Sequence, residues 1–244
     1  MTALLSTTYF GPVQWYQKLC RYDRVLIDRQ EPFVKQTYRN RCLIATANGV
    51  QALTVPVQHT ETINYPLSTI NFLRISNHGN WRHQHWQAIT SAYGDSPFLE
   101  YYEDDLRPFF FEQRWEYLHD FNEDIRRTMC RLIDIQPHVE LAPRLSGDSG
   151  DSRDSGLSGN SGNSSDISDF RHAINPKHPA ADPDFTPRPY YQVFSRRHGF
   201  LPNLSILDLL LNMGPEAIFW LYPLHNSKIR CTTCIGSPLG CSMS

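Results

Sequence analysis

Two short runs in this chain combine charge, hydrogen-bonding capacity and aromatic rings at a density that a hydrophobic core does not need. The first is Lys35-Gln36-Thr37-Tyr38-Arg39-Asn40-Arg41. Its cations suit a phosphate or carboxylate, because charge-assisted hydrogen bonds are roughly twice as strong as neutral ones. Arg39 and Arg41 are two positions apart, so on a strand both would point to one face as a two-pronged anion clamp, with Lys35 and Asn40 beside them. The plain alternative is a solvated basic loop leading into a hairpin.

The second run is His78-Gly79-Asn80-Trp81-Arg82-His83-Gln84-His85-Trp86. His85 or His78 is suited to general acid–base work near neutral pH. Trp81 or Trp86 would stack on a sugar or base ring, with Asn80 and Arg82 as polar contacts. On a helix, His83 and His85 splay about 200° apart. No cysteine or carboxylate lies among them at zinc spacing, so no metal site is expected. Ordinary packing is the alternative for the whole run.

Further candidates are scattered. Asp208 joins the histidines as a candidate catalytic group, and Asn203 would orient polar atoms. Tyr9, Gln14 and Gln192 complete the expected ligand-binding set. Glu103-Asp104-Asp105 reads as a solvated helix start more readily than as a magnesium site. Cys231-x-x-Cys234 is one pair in a Ser-rich tail, without the second pair or βαβ context that zinc or redox chemistry requires. The chain has no P-loop, no G-x-G-x-x-G and no G-x-S-x-G, and nothing in it names a cofactor.

Several elements must position these residues. Residues 3–9 read as a strand broken by Gly11-Pro12, 13–22 as a helix and 24–28 as a second, buried strand. That is a βαβ unit and implies a parallel sheet. Two more strands, 41–46 and 51–57, flank Asn48-Gly49, a strong hairpin signal, and are expected to join the sheet as an antiparallel pair. Asn80 would cap a helix carrying Trp86, Ile89 and Tyr93. The clearest helix is 115–133, where Trp115, Leu118, Asn122, Ile125, Met129 and Leu132 recur on one side. Another spans 205–213 and ends at Gly214-Pro215.

Residues 146–169 are almost all Ser, Gly, Asp and Asn, too polar to offset their ordering entropy. The expected organisation is an N-terminal α/β part (1–143), a disordered insertion or linker (144–189), a C-terminal helical part packing on the same domain (190–224), and a loosely ordered tail (225–244). The fold class is α/β, with a mixed, partly parallel sheet and flanking helices.

At 244 residues and a net charge of −2, the chain has ample length for a core and no global basic field, so nucleic acid is not an expected partner. There is no apolar run near the ~20 residues of a membrane span. The N-terminus does not read as a signal peptide, so reduced thiols and a cytoplasmic location are expected. The expected partner is a small molecule, anionic or sugar-linked. Oligomeric state is left open.

The chain resembles the WbqC-like family, in the form common in Bacteroidetes-type sequences. The resemblance rests on Tyr9-Phe10-Gly11-Pro12 with Gln14 and Tyr16, on Tyr22-Asp23, on the Lys35–Arg41 run, on Leu53-Thr54-Val55-Pro56-Val57, and on the His78–Trp86 run. It continues through Tyr93, Ser96-Pro97-Phe98, Tyr101-Tyr102-Glu103-Asp104, Tyr191-Gln192-Val193-Phe194 and Pro202-Asn203-Leu204-Ser205 to about residue 217. Its namesakes lie among genes for O-antigen and other surface polysaccharides. The resemblance implies a cytoplasmic sugar-modifying role in such biosynthesis, and with the Lys35–Arg41 run the leading expectation is an enzyme acting on an activated, phosphorylated donor, with acyl or aminoacyl transfer to an amino sugar as the reaction class. A non-catalytic scaffold in a biosynthetic assembly is the alternative. Many relatives open with His-Gln-Pro-x-Tyr-Leu-Pro-Trp. Aligned on Tyr9, Leu5 stands here in place of that His and Pro12 in place of the Trp. The early strand, Pro-containing turn and helix are also similar to nucleotidyltransferases that bind phosphate at a helix start, though their paired His signature is missing.

Overall fold

The structure, a computed structural model, describes residues 1–58, 69–142, 167–177 and 179–222. Alternating short apolar runs and amphipathic segments give the element order β1 (Thr2–Ser6), α1 (Val13–Arg21), β2 (Arg24–Asp28), β3 (Arg41–Thr46), β4 (Gly49–Thr54), α2 (Trp81–Tyr93), α3 (Leu99–Leu106), α4 (Pro108–Phe111), α5 (Leu118–Ile133), β5 (Val139–Leu141), β6 (Ile167–Asp169), α6 (Ser195–His198), α7 (Ile206–Met213) and α8 (Ile218–Leu221). This is the α/β class the sequence implies.

The main sheet is parallel throughout, in the order β5-β2-β1-β6. Ala3, Leu5, Val25 and Ile27 are buried in it, as continuous apolar runs in parallel strands should be. The β3–β4 hairpin corrects one expectation: it forms a separate two-stranded sheet and does not join the first. Gly49 closes its turn at φ +104°, a region a side chain would resist.

Helix α5 starts at Leu118, three residues later than its apolar spacing suggests. Arg74 pairs with Tyr117 in an isolated bridge, which holds the preceding residues extended. Strand β6 lies inside the span 144–189 expected to be an insertion, so sheet structure resumes at residue 167. Ile-Ser-Asp offers one apolar residue, too few to show periodicity. The Ser/Gly-rich run before it and the Cys-containing tail lie outside the described residues.

The loop between β1 and α1 is fixed from both sides. The Tyr9 N–H donates to Tyr38 O, the Val13 N–H to Leu204 O and the Ile206 N–H to Gly11 O. Ser205, the N-cap of α7, donates its hydroxyl to Phe10 O and accepts from the Leu207 N–H. Phe10 sits at φ +40°. A Cβ on Gly11 would stand 2.4 Å from Thr8 Oγ1. Residues from opposite ends of the chain therefore set the path of this loop.

Candidate functional site

Strand β3 begins at Arg41, which faces Thr54 across the hairpin and donates from Nε to Thr54 Oγ1 at 3.0 Å. The rest of its guanidinium lines a recess of about 320 Å³ together with Lys35, Gln36 and Asn40, against an apolar wall of Phe33, Val55, Pro56 and Val57. No lining residue is acidic, and neither Lys35 nor Arg41 has an ion pair among the described residues. Asn40 is pinned by Nδ2–H···O=C to Val55 at 2.8 Å, leaving its buried Oδ1 without a partner among the described residues. Two uncompensated cations beside an apolar wall suit an anion attached to a ring or chain.

Arg39 is absent from this recess. It precedes the strand, so the two-apart rule does not apply, and it turns to the carboxyl edge of the main sheet. There it is buried, donating to both carboxylate oxygens of Glu31 and to Ser6 Oγ. Burial, the largest influence, raises the Glu31 pKa against the lowering pull of Arg39 and Ser6. The two-pronged clamp is thereby corrected to one prong, Arg41, with Lys35.

The carboxyl edge itself forms a second, narrow recess. The walls include Ser6, Thr7, Thr8, Tyr38, Arg39 and Phe170, and Arg171 crosses them. Strand β6 ends at Asp169, opposite Leu4, and the turn that follows brings Arg171 to the same recess as Ser6. From there it donates to Asp169 on its own strand and, at 2.6 Å, to Asp28 Oδ2 at the end of β2. The hydrogen bonds it donates to both carboxylates, above all to Asp169, push its pKa up. Strand β1 runs to α1 on one side, while β6 lies on the other, so this is where the sheet's strand order reverses. In open α/β sheets ligands bind at such points.

Most of the remaining expected site residues are interior. Tyr9 OH and His85 Nδ1 are 2.9 Å apart, and both side chains are buried. Desolvation lowers the His85 pKa to about 4, although a Thr54 backbone hydrogen bond opposes the shift. A neutral, enclosed imidazole positions Tyr9 and Thr54; it is not placed to exchange protons with a ligand. Trp81 donates Nε1–H to Ser76 O, and Trp86 packs on Phe110 and Phe111, so neither ring offers a stacking face. Arg82 holds Asn77 and lies 4.4 Å from the centre of the Trp81 ring, with Nε and Nη2 buried and unpartnered among the described residues. His78 and Asn80 are exposed beside the start of α2, outside both recesses.

Asp208 is likewise structural. Tyr93 OH, Tyr190 OH and Gln192 Nε2 all donate to it at 2.7–2.9 Å, and burial raises its pKa. Gln192 is also clamped to the Leu201 backbone. Asn203 and Gln14 exchange reciprocal hydrogen bonds, and Gln14 reaches Asp182. Asp182 meets Lys18 at 2.7 Å, with side-chain exposures of 3% and 0%. These contacts fasten α1 to the chain beyond residue 179. Among the described residues no group of three or more His, Cys, Asp or Glu is placed to hold a metal, and no helix is long and apolar enough to cross a membrane.

A model of the WbqC-like protein family matches residues 7–168. The chain belongs to the WbqC-like protein family. The stretch matched by the WbqC-like model includes both recesses except Ser6, Phe170, Arg171 and Ile174. This WbqC-like chain is also 25% identical to "Uncharacterized protein Rv1507c" of Mycobacterium tuberculosis (strain ATCC 25618 / H37Rv), over 230 residues covering 88% of this chain and 94% of that protein. No solved structure matches it.

Sequence reasoning missed Thr7, Thr8, Glu31, Asp28 and Arg171. The first two had a usable signal, since they end the first strand of a βαβ unit, at the edge where such sheets bind ligands. Arg171 had none, because only the folded chain brings the turn after β6 beside Ser6.

Proposed function

We propose that this protein binds an activated, phosphorylated small molecule in the recess of Lys35, Asn40 and Arg41, as an enzyme of surface-polysaccharide or amino-sugar biosynthesis. One observation carries the reading: two cations without carboxylate partners among the described residues line a recess of about 320 Å³ that also has an apolar wall. The phosphate would take Lys35 and the free end of the Arg41 guanidinium, and a ring would lie against Phe33 and Pro56. Membership of the WbqC-like family supports a biosynthetic role. Acyl or aminoacyl transfer from the donor to an amine is the reaction class we favour, in a cytoplasmic setting.

A second reading, a binding protein without turnover, is favoured by one finding. The groups best suited by type to acid–base work, His85 and Asp208, are both buried and fully engaged. The test is titration calorimetry with nucleotides, nucleotide-sugars and acyl-CoA, followed by product analysis with an amino-sugar acceptor. Saturable binding lost in Arg41→Ala supports the recess, and turnover then selects the enzyme. Binding without turnover across the panel selects the second reading. Undiminished binding in Arg41→Ala overturns the site.

A further inference from the structure

Arg39, Arg126 and Arg171 use their guanidiniums in one way. Each turns the Nε and Nη2 side to a carboxylate, that of Glu31, Glu123 and Asp169 respectively. Those N–H groups run parallel, as a fork that matches the oxygens of an oxyanion. Arg82 does otherwise. Its Nε and Nη2 are buried and have no partner among the described residues, and its one side-chain hydrogen bond there runs from Nη1 to Asn77 Oδ1.

Packing alone does not explain this arrangement. Arg82 is 7% exposed, and no carboxylate among the described residues pairs with it. Burying a charge without a partner is strongly unfavourable, and here desolvation draws the Arg82 pKa down. The guanidinium carbon lies 4.4 Å from the centre of the Trp81 ring, which attracts the cation through its flat face. That contact leaves the in-plane N–H donors unused, and buried donors normally find an acceptor.

The position of Arg82 points to what the acceptor is. It is the second residue of α2, and its side chain leans back to the helix start, over Trp81 and toward Asn77. Asn80 gives that end no side-chain cap, and the first turn holds no acidic residue. The N–H groups of Trp81, Arg82 and His83 have no acceptor among the described residues. The helix end therefore adds partial positive charge and free donors to those of the fork. From Thr69 to Gly94 the sequence contains no Asp or Glu. The turn Asn77–Asn80 is exposed throughout and meets Arg82 through Asn77, so the fork lies one side chain beneath the surface.

We propose that the start of α2 is a binding site for the phosphoryl group of a small molecule, taken by Arg82 Nε and Nη2 and by the first-turn N–H groups, and uncovered when the Asn77–Asn80 turn moves aside. Donors from both a side chain and a helix end suit the three oxygens of a phosphoryl group better than the two of a carboxylate. The site is independent of the Lys35–Arg41 recess. Its test is NMR of the full chain, following the Arg82 Nε–H and the Trp81, Arg82 and His83 amides, in the parent and in Arg41→Ala. The probes are inorganic phosphate, D-glucose 6-phosphate and acetate. A phosphate probe should move these signals saturably in both proteins, with acetate weaker by about tenfold. Whichever phosphate binds more tightly tells free phosphate from a phosphorylated metabolite. Arg82→Lys, which keeps the charge and loses the fork, should weaken phosphate by about tenfold; the spectra of the parent carry the test if that variant does not fold. No saturable shift at Arg82, shifts that vanish in Arg41→Ala, unchanged affinity in a folded Arg82→Lys, or acetate binding as tightly as phosphate overturns the proposal. Shifts at Lys35 and Arg41 in the parent decide the other recess separately.

Discussion

Arg39 and Arg41 stand two positions apart and do opposite work. Removing Glu31 would strand the Arg39 charge in the interior, and breaking a buried pair in this way costs about 3–5 kcal/mol. Glu31→Ala should therefore lose most of its stability in urea unfolding. Arg41→Ala loses one hydrogen bond to Thr54, worth about 1 kcal/mol, and should melt close to the parent. It should nevertheless lose the thermal shift that a phosphorylated ligand gives the parent, about 2.7 kcal/mol at a hundred times its Kd. His85 supplies the pH dependence. Its folded pKa, about 4, lies below the unfolded value near 6.5, so the unfolded chain binds the extra proton first. The resulting stability is intact above pH 6.5 and drains away as pH falls toward 4, by on the order of 3 kcal/mol. An imidazole NMR titration should show a midpoint near 4; one near 6.5 would return His85 to the acid–base candidates.

At the scale of elements, the β1–α1 loop is the tightest joint. Gly11 admits no side chain because Thr8 Oγ1 occupies the space a Cβ needs. Gly11→Ala should cost about 1–3 kcal/mol through overpacking and displace Thr8 at the sheet edge. Calorimetric melting, with Thr8→Ala as partial relief, would show the coupling as non-additivity. The elements themselves were largely legible. Apolar spacing marked α1, α5 and α7, and Asn48-Gly49 marked the hairpin. The site was less so. Lys35, Asn40 and Arg41 could be singled out because charge density is visible in one dimension, and the structure brings them to one recess. His85, Trp81, Trp86 and Asp208 were misjudged because a polar residue in a rich run looks the same whether it faces a ligand or a neighbour. Their hydrogen-bond partners Tyr9, Tyr93 and Tyr190 lie far off in sequence, so burial could not be read from local pattern.

At the scale of the whole molecule, the parallel character of the sheet followed from the βαβ reading, while its fourth strand did not. Strand β6 is three residues with one apolar side chain, and it is a strand only because β1 waits beside it. Lys18 and Asp182 tell the same story: a lysine on a short helix gives no hint that it is wholly enclosed. Lys18→Met with Asp182→Leu, removing both charges, should be near neutral in stability, whereas Asp182→Ala alone should cost about 3–5 kcal/mol. Urea midpoints of the three proteins decide between these outcomes.

The pairing of β1 with β6 also sets a clock on the ribosome. Strand β1 emerges before the rest of its sheet, and its neighbour on one side follows only after β2, the hairpin, α5 and β5 have all been made. Until then a central strand with an apolar middle, Ala3-Leu4-Leu5, presents an open edge, the condition under which chains pair with each other instead of with themselves. Nascent chains halted after β5 should therefore need a holding chaperone. Arg171 arrives later still, so the sheet-edge recess closes only after every strand of the sheet has been made.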